Sequence, residues 1–419
     1  MMGTLLAVVP TVVVGLIISQ NALNEGAQAL QESTKKQLVI SRDLTAQSIE
    51  TYFSFIEKQA ISLSQNNSTV SAAKAFSEAY DKYPTNIDST ISKKLADYYQ
   101  NQFDKNYQSL NSDKSSNPSD ILSKLSPTAK TLQGAYIANN PAPLGEKDKL
   151  DSSGDGSMYD RVHQDFHPMF QQFQQEFGFY DVFIVDAKTG NVVYSVFKEL
   201  DFGTSLTSGP YKDTGLAESF KKAVNSNNKN ATYLTDFAPY GPSYNAQASF
   251  ISSPIFSDGK MAAVLIFQMP IDCIDNVMTH HKTWEKNGLG ETGQTYLVGH
   301  NKVMKSNDRL LLQNKAAFLE QAKILNLPSV TMDEINKRNT TIGLLKINNT
   351  FINEALSGKD GFIIDNNYLN EPSLSAFKPL KIQGLDWFII SEQSQTEAFR
   401  SIKDLKNTVY TTLMIVSIL

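Results

Sequence analysis

The chain has 419 residues, of which 41% are hydrophobic and 19% charged, and its formal net charge is −5. This length allows two or three domains, and the apolar content supplies packed cores, which excludes wholesale disorder. The acidic balance and the lack of a Lys/Arg run argue against a nucleic-acid partner. The single cysteine, Cys273, excludes a disulfide within the chain, which suits a bacterial periplasmic domain.

Both ends of the sequence are apolar. Leu5–Ser19 carries no charge, but it is shorter than the ~20 apolar residues of a full membrane span. It also lacks the basic lead and cleavage site of a signal peptide. Val409–Leu419 is apolar as well, and basic residues precede it. We therefore predict a transmembrane helix, truncated at its start, in residues 1–20 and the beginning of a second in residues 408–419. A buried C-terminal helix is the alternative for the second.

Two spans would place residues 21–407 together on the extracytoplasmic side of the membrane, a layout typical of receptors. Residues 21–130 predict a helical approach to the domains that follow. Within it, residues 21–80 have apolar side chains at spacings of three and four, which predicts one long helix that pairs with a partner chain near its base. The alternative is two helices broken at the polar residues 65–69.

The centre of the sequence predicts two β-hairpins around a helix. Tyr180–Asp186 and Val192–Phe197 are rich in β-branched and aromatic residues and flank a glycine-bearing turn. Phe250–Phe256 and Met261–Gln268 repeat this pattern around an Asp-Gly turn. Between the hairpins, Gly215–Asn225 carries apolar residues at a spacing of four. Strands around a helical insert predict an antiparallel α+β module and argue against a doubly wound sheet.

With Leu132–Ala138 as a short first strand, this membrane-distal module occupies residues 131–285. A helix over Cys273–Lys286 would connect it to a smaller, membrane-proximal sheet module in residues 286–407. The strands of that second module are predicted from short β-branched and aromatic runs at residues 295–298, 302–304, 361–364, 374–377 and 387–391.

The segment GLGETGQTYLVG opens the second module and is the most specific motif of the chain. With the hairpin YDVFIVDAKTGNVVYSV, the segment FISSPIFSDGKMAAVLIFQMPI and the predicted spans, it resembles the double Cache sensor region of bacterial transmembrane chemoreceptors (methyl-accepting chemotaxis proteins) and related signalling proteins. The matches to the GxGxTGxxYL-like run of that family are Gly288, Gly290, Thr292, Gly293, Tyr296 and Leu297. The resemblance covers essentially the whole chain.

This resemblance implies a PAS-like distal module that binds a small ligand, a proximal module that relays the signal, and a parallel homodimer. The chain would be the extracytoplasmic sensing region of a chemoreceptor in the bacterial inner membrane, acting on a cytoplasmic signalling domain outside the chain. Sensor regions of histidine kinases or nucleotide cyclases are alternatives. A more distant one is a membrane-anchored extracytoplasmic enzyme, although the sequence has no Walker loop, GxSxG or HExxH motif.

The amino-acid-binding branch of the family holds its ligand with an Arg and aromatic residues after the first hairpin and an Asp at the end of the last strand. Arg binds a carboxylate through two parallel hydrogen bonds, and Asp pairs with the ammonium group. In this sequence Gly209 stands roughly at the Arg position and Gln268 at the Asp position. A neutral, carboxylate or other polar metabolite is therefore expected at least as much as a free α-amino acid.

Candidate ligand-binding residues face the predicted pocket or lie in the loops above it: Tyr211, Asp236, Tyr240, Ser252, Gln268, Tyr194 and Lys198. Each has a structural alternative. The loop with Asp236 and Tyr240 can be fixed by Asp capping, and the tyrosines can be core aromatics. Ser252 and Gln268 can belong to an internal polar network. Lys198 can form a solvated loop pair with Asp201.

Metal and cofactor sites are not expected. His163 and His167 have a spacing that can bind zinc, but no third ligand accompanies them. The segment that starts at Asp151 imitates a calcium loop, yet its twelfth position is Val162 where such a loop needs Glu.

Overall fold

The computed structural model of the chain describes residues 2–86, 88–348 and 352–418, without the side chains of residues 2–12 and 416–418. The helices are α1 Met2–Ser64, α2 Asn67–Asp81, α3 Ser89–Asp97, α4 Asp104–Leu110, α5 Pro118–Ser123, α6 Pro127–Gln133, α7 Met158–Phe177, α8 Gly215–Val224, α9 Ile271–Met278, α10 Arg309–Gln313, α11 Lys315–Gln321, α12 Ser329–Arg338, α13 Ile352–Leu356, α14 Gln395–Ala398 and α15 Arg400–Ile418. The strands are β1 Asp181–Asp186, β2 Val192–Ser195, β3 Tyr233–Leu234, β4 Ala238–Tyr240, β5 Ala246–Ala248, β6 Phe250–Ser257, β7 Lys260–Gln268, β8 Gln294–Gly299, β9 Gly361–Asn366, β10 Pro372–Pro379 and β11 Trp387–Ser394.

Helix α1 ends at Ser64, next to the polar residues 65–69 at which the alternative interpretation breaks the long helix. Helix α1 has 63 residues and is therefore ~95 Å long at 1.5 Å per residue. The Asn66 side chain then caps α2 by accepting a hydrogen bond of 2.8 Å from the Ser68 N–H. The alternative of two helices is thus correct, and the unbroken helix over residues 21–80 is not.

The strand predicted at Leu132–Ala138 is wrong. The Ser126 hydroxyl caps α6 by accepting from the Ala129 N–H, and the backbone then continues as a π-helix over Gly134–Ala138. Leu132 and Tyr136 are both fully buried at a spacing of four, so one helical face carries them. A short apolar run is compatible with a buried helix as well as with a strand. Here the run adopts a helical conformation because it continues directly from α6.

The first sheet is antiparallel with the strand order β2-β1-β7-β6-β3, so both predicted hairpins are confirmed. Asp258 and Gly259 join β6 to β7 with φ angles of 51° and 75°, the left-handed pair that a tight hairpin turn requires. Helix α8 covers one face of this sheet, and α1, α2 and α7 cover the other.

The second sheet is also antiparallel, with the order β8-β11-β10-β9. Helix α1 contacts β10 and β11 as well as β6 and β7, so one helix packs against both sheets. The predicted α+β class with a long N-terminal helix and antiparallel sheets is therefore confirmed.

Two predicted elements of this region differ in the structure. The predicted strand at residues 302–304 forms only isolated bridges. The predicted connecting helix is shorter, because α9 ends at Met278 and His280–Lys282 all have positive φ angles.

The two ends of the chain meet, since α15 packs against α1. In the part of the chain that the structure describes, no helix combines the length and apolarity needed to cross a bilayer. The spans predicted in residues 1–20 and 408–419 fall partly on residues outside that description.

An ion pair between a buried lysine and an exposed aspartate joins the two sheets. The Asp236 carboxylate, from the loop before β4, lies 2.9 Å from the Lys305 ammonium group and accepts a hydrogen bond of 3.0 Å from the Trp387 indole. Lys305 is 1% exposed. The Phe237 ring stacks on Trp387, and the edge of Phe53 from α1 meets the same indole. This junction fixes the first sheet against the start of β11.

Replacing Asp236 by Ala should lower the free energy of unfolding by about 2 kcal/mol, because the buried Lys305 charge would lose its partner. The matched control is Asp258→Ala. Asp258 also pairs with a lysine, Lys74, at 2.8 Å, but both side chains are exposed, so we expect a change within about 0.5 kcal/mol. Urea unfolding of both variants measures the difference. Equal effects would show that the junction does not stabilise the fold.

Candidate ligand-binding site

Two polar side chains, Asp181 and Gln268, lie at the end of the sheet face that α8 covers. Asp181 and Phe250 are the cross-strand partners of Gln268 on β7, so all three project to one face. The Asp181 carboxylate accepts hydrogen bonds from the Ser195 hydroxyl and the Val182, Val196 and Phe197 N–H groups, at 2.6 to 3.0 Å. Burial raises the pKa of Asp181 to about 6. These bonds fix the loop that leaves β2.

That loop carries two further acids into the interior. Glu199 accepts hydrogen bonds from the Tyr180 hydroxyl at 2.8 Å and the Ser243 hydroxyl at 2.7 Å. Asp201 accepts one from the Tyr240 hydroxyl. Burial raises the pKa of Glu199 to about 7 and that of Asp201 well above its usual range, and the neighbouring acids add to the second shift.

Five side chains form what we call the distal cluster: Glu199, Asp201, Tyr211, Tyr240 and Gln268. The Gln268 amide donates to the Ser243 hydroxyl at 3.2 Å, which connects it to Glu199. The centroids of the Tyr211 and Tyr240 rings are 6.5 Å apart. Burial raises the pKa of both hydroxyls, and a charge on Asp201 raises it further.

Three polar atoms of the distal cluster are buried without a hydrogen-bond partner among the described residues. They are Asp201 Oδ1, the Tyr211 hydroxyl and Gln268 Oε1. Their residues are 0%, 6% and 4% exposed. An unsatisfied buried group costs about 1–3 kcal/mol, so three of them in one cluster make the distal cluster the candidate site for a bound molecule.

The structure brings together three of the residues expected from the sequence, Tyr211, Tyr240 and Gln268. Ser252 lies on the same sheet face, but its hydroxyl donates to the Ser219 carbonyl at 2.9 Å and so belongs to the contact with α8. Tyr194 lies on the opposite face, among Phe76 and Phe170.

Lys198 and Asp236 are engaged elsewhere. The Lys198 ammonium group is buried and donates to the Val196 carbonyl at 3.0 Å, and burial lowers its pKa to about 7. The solvated pair between Lys198 and Asp201 is wrong, because both side chains are buried and Asp201 bonds to Tyr240. Asp236 holds the junction of the two sheets.

The predicted histidine pair lies in the core behind the sheet. The rings of His163 and His167 stack with centroids 4.3 Å apart. His163 Nδ1 lies 2.7 Å from the Asp151 carbonyl, and His167 lies between the Tyr194 hydroxyl and the Asp148 carbonyl. Burial lowers the pKa of both rings, that of His167 to about 3. Both are therefore neutral and tie α7 to the preceding loop.

Glu199 and Asp201 were not among the sequence candidates, although a signal for them exists. In FKELDF, the charged residues are interspersed with Phe197, Leu200 and Phe202. Leu200 and Phe202 are fully buried. A loop whose apolar residues flank acids in this way is anchored in the core, so its acids enter the interior too.

No family model matches the sequence, and no curated protein matches it. Solved structures do match. The sensory domain of the Campylobacter jejuni chemoreceptor Tlp3 is 14% identical, with a TM-score of 0.39 over 89% of this chain and 98% of that one. The extracellular domain of vpHK1S-Z8, described as a histidine kinase, is 12% identical, with a TM-score of 0.45 over 90% and 99%. The ligand-binding domain of the Pseudomonas aeruginosa amino acid chemoreceptor PctC, in complex with GABA, is 12% identical, with a TM-score of 0.31 over 52% and 74%. The three structures are thus described as a sensory domain, an extracellular domain and a ligand-binding domain.

The pKa of Glu199 predicts how stability depends on pH. Glu titrates near 4.3 in an unfolded chain and near 7 in this fold. The unfolded state therefore loses its proton first, and the free energy of unfolding should fall by about 3 kcal/mol between pH 4 and 7 from this group alone. Glu199→Gln removes the titrating group and should flatten the fall, as measured by urea unfolding across this range. Glu218→Gln, on the exposed side of α8, should leave the slope unchanged. A slope equal to that of the unsubstituted chain in Glu199→Gln would contradict the assignment.

Proposed function

We propose that the chain is the extracytoplasmic sensing region of a transmembrane receptor, a chemoreceptor of the bacterial inner membrane, and that the distal cluster binds its small-molecule ligand. The observation that carries this proposal is the group of three unpartnered buried atoms, Asp201 Oδ1, Tyr211 OH and Gln268 Oε1. The signalling domain on which the receptor acts lies outside this chain.

The chemistry of the distal cluster favours a ligand with a protonated amine. Gln268 Oε1 is an acceptor, and so is Asp201 Oδ1 once its carboxyl is ionised. The side chains that donate hydrogen bonds to Glu199 and Asp201 are hydroxyl groups. An ammonium group would donate hydrogen bonds to these acceptors and stabilise the ionised form of the carboxyls. A neutral ligand would leave the buried carboxyls protonated.

A carboxylate on the ligand finds no cationic partner among the five side chains of the distal cluster. Gly209 occupies the position where an arginine would bind it, and the Gly209 N–H donates to the Ser205 carbonyl at 2.8 Å. The Lys198 ammonium group donates to the Val196 carbonyl and interacts with the side of the sheet that carries His163 and His167. We therefore propose an amine without a free α-carboxylate as the ligand class.

Transmission to the membrane would follow α1. This helix packs against both sheets and against α15. A rearrangement of the first sheet around a ligand would therefore shift α1 and α15, the helices at the two ends of the chain. The ligand would favour one of two packings of these elements, by no more than its difference in affinity for them.

Thermal unfolding of the full chain with sets of α-amino acids, primary amines and carboxylic acids of matching carbon skeletons tests the ligand class. A ligand at 100 times its dissociation constant adds about 2.7 kcal/mol of stability. We expect stabilisation by amines and none by the matching carboxylic acids. Asp201→Asn keeps the shape of the side chain and removes its charge, so it should weaken the tightest ligand at least ten-fold, by about 1.4 kcal/mol.

The control is Asp213→Asn, an exposed acid in the same loop, which should bind as the unsubstituted chain does. Unchanged affinity in Asp201→Asn, with the fold intact, would refute the placement of the site. Stabilisation by carboxylic acids alone would refute the ligand class.

We also propose that the chain forms a parallel homodimer through α1. Ile40, Leu44 and Phe55 are 54% to 60% exposed, and at ~100° per residue they fall within a stripe of about 60° on one face of the helix. The Phe177 ring lies beside Phe55 with centroids 6.5 Å apart. In a two-fold symmetric dimer this stripe would meet its own copy.

A cysteine on this stripe should link two copies. In a Cys273→Ala chain, Leu44→Cys should form an intermolecular disulfide under mild oxidation, because the same residue of both copies would lie near the two-fold axis. The control is Lys222→Cys on the exposed face of α8, which should stay uncrosslinked. Equal crosslinking at the two positions, on a non-reducing gel, would argue against the stripe as the interface.

A further inference from the structure

All five side chains of the distal cluster are buried. A molecule from solution can therefore reach them only if part of the surrounding structure moves. The element with the least support of its own is the hairpin of β4 and β5, which forms a separate two-stranded sheet. An isolated two-stranded hairpin is marginally stable in water, so the position of this one depends on the contacts that its two sides make.

The inner side of the hairpin is part of the distal cluster. Tyr240, at the end of β4, donates its hydroxyl to Asp201. Ser243, in the turn, donates to Glu199 at 2.7 Å and accepts from the Gln268 amide at 3.2 Å. The hairpin thus forms one wall of the cluster, and its displacement would open the cluster to solvent.

The outer side of the hairpin is bound by a residue of the second module. Arg338, the last residue of α12, donates from Nη2 to the Tyr244 carbonyl and to Asn111 Oδ1, both at 2.8 Å. The Asn111 amide donates to the same Tyr244 carbonyl at 3.1 Å. Two hydrogen bonds use both lone pairs of that carbonyl. The turn of the hairpin is therefore held between α12 and the segment that follows α4.

The turn has a backbone conformation that depends on such support. Tyr244 and Asn245 have φ angles of 56° and 62°, in the left-handed region. Asn enters this region more readily than other residues with a side chain, whereas a bulky residue such as Tyr rarely does. The two donors on the Tyr244 carbonyl stabilise the orientation of this peptide group, so their loss should loosen the turn.

The second module also approaches the hairpin at β5 and leaves space beside it. A side chain at Gly343 would put its Cβ 2.1 Å from the side chain of Gln247. A cleft of about 420 Å³ lies next to this contact, and Ala246, Arg338 and Ile342 are among the residues that line it. The cleft gives the hairpin room to move away from the distal cluster when Arg338 releases the turn.

We propose that the β4–β5 hairpin is the lid of the distal cluster and that Arg338 is the positioning residue through which the second module holds this lid closed. That the lid covers a ligand rests on the function proposed for the distal cluster. A ligand and the second module then act on the same hairpin. A shift of α12 alters access to the cluster, and a ligand that displaces the hairpin alters α12 in return.

Thiol labelling of the full chain, purified in detergent, measures the opening of the lid without any ligand. In a Cys273→Ala chain, Gln268→Cys places the only thiol beneath the hairpin, and iodoacetamide is the probe. Arg338→Met removes both hydrogen bonds and keeps an unbranched side chain, so it should raise the labelling rate at least ten-fold. The control is Lys323→Met, an exposed lysine of the same module, which should leave the rate unchanged.

A second reporter separates the opening of the lid from a general loss of stability. Ser252→Cys, in the same Cys273→Ala chain, places the thiol on β6 where α8 covers it, and Arg338→Met should not change its labelling rate. An equal rise at both thiols would show that Arg338 only stabilises the fold. No rise at Gln268→Cys would show that Arg338 does not hold the lid, and either result overturns the proposal. Because no ligand enters this experiment, its failure and a failure of the ligand-binding assay are separate outcomes.

Discussion

The packing of both sheets depends on one helix, α1. Helix α1 packs against β6 and β7 of the first sheet and against β8, β10 and β11 of the second. Its buried side chains, such as Ile49 and Phe53, contribute to a core that reaches from the first sheet to Trp387. Protein interiors are close-packed, so neither sheet can change its packing on α1 without disturbing a surface that the other sheet uses. In the proposed homodimer, the exposed stripe on the same helix would extend this constraint to a second copy of the chain.

Both modules bury acids in the same way. In each, a carboxyl group on or beside the sheet accepts hydrogen bonds from tyrosine hydroxyls, as Asp201 does from Tyr240 and Glu392 from Tyr296. Burial raises the pKa of both carboxyls, because burying an ionised carboxyl without a cation is costly. Residues that oppose stability in this manner are typical of binding sites.

The sequence predicts the sheets better than it predicts the pocket. Asp258–Gly259 and the alternation along the strands define the hairpins locally, and α8 follows from the spacing of its apolar residues. The distal cluster depends on contacts distant in sequence. Asp201 meets Tyr240 39 positions further along, and Asp236 meets Lys305 69 positions away. The local pattern of FKELDF indicates that its acids are buried, but it does not indicate which distant side chains they meet. The error at Leu132–Ala138 has the same cause, since a neighbouring helix decides the conformation of an ambiguous apolar run.

The hydrogen bonds of Asp181 have a consequence for the evolution of ligand choice. They fix the backbone of the loop after β2 through Val196 and Phe197, and the side chains at Glu199 and Asp201 follow on this fixed support. If the distal cluster binds a ligand as proposed, the residues that choose the ligand are distinct from those that hold the loop in place. Exchanges at positions 199 and 201 can alter the charge and shape of the pocket while the strand register and the apolar core persist. A lineage with the proposed receptor function could therefore move from one metabolite to another in few steps, each of which would leave a folded protein for selection to act on.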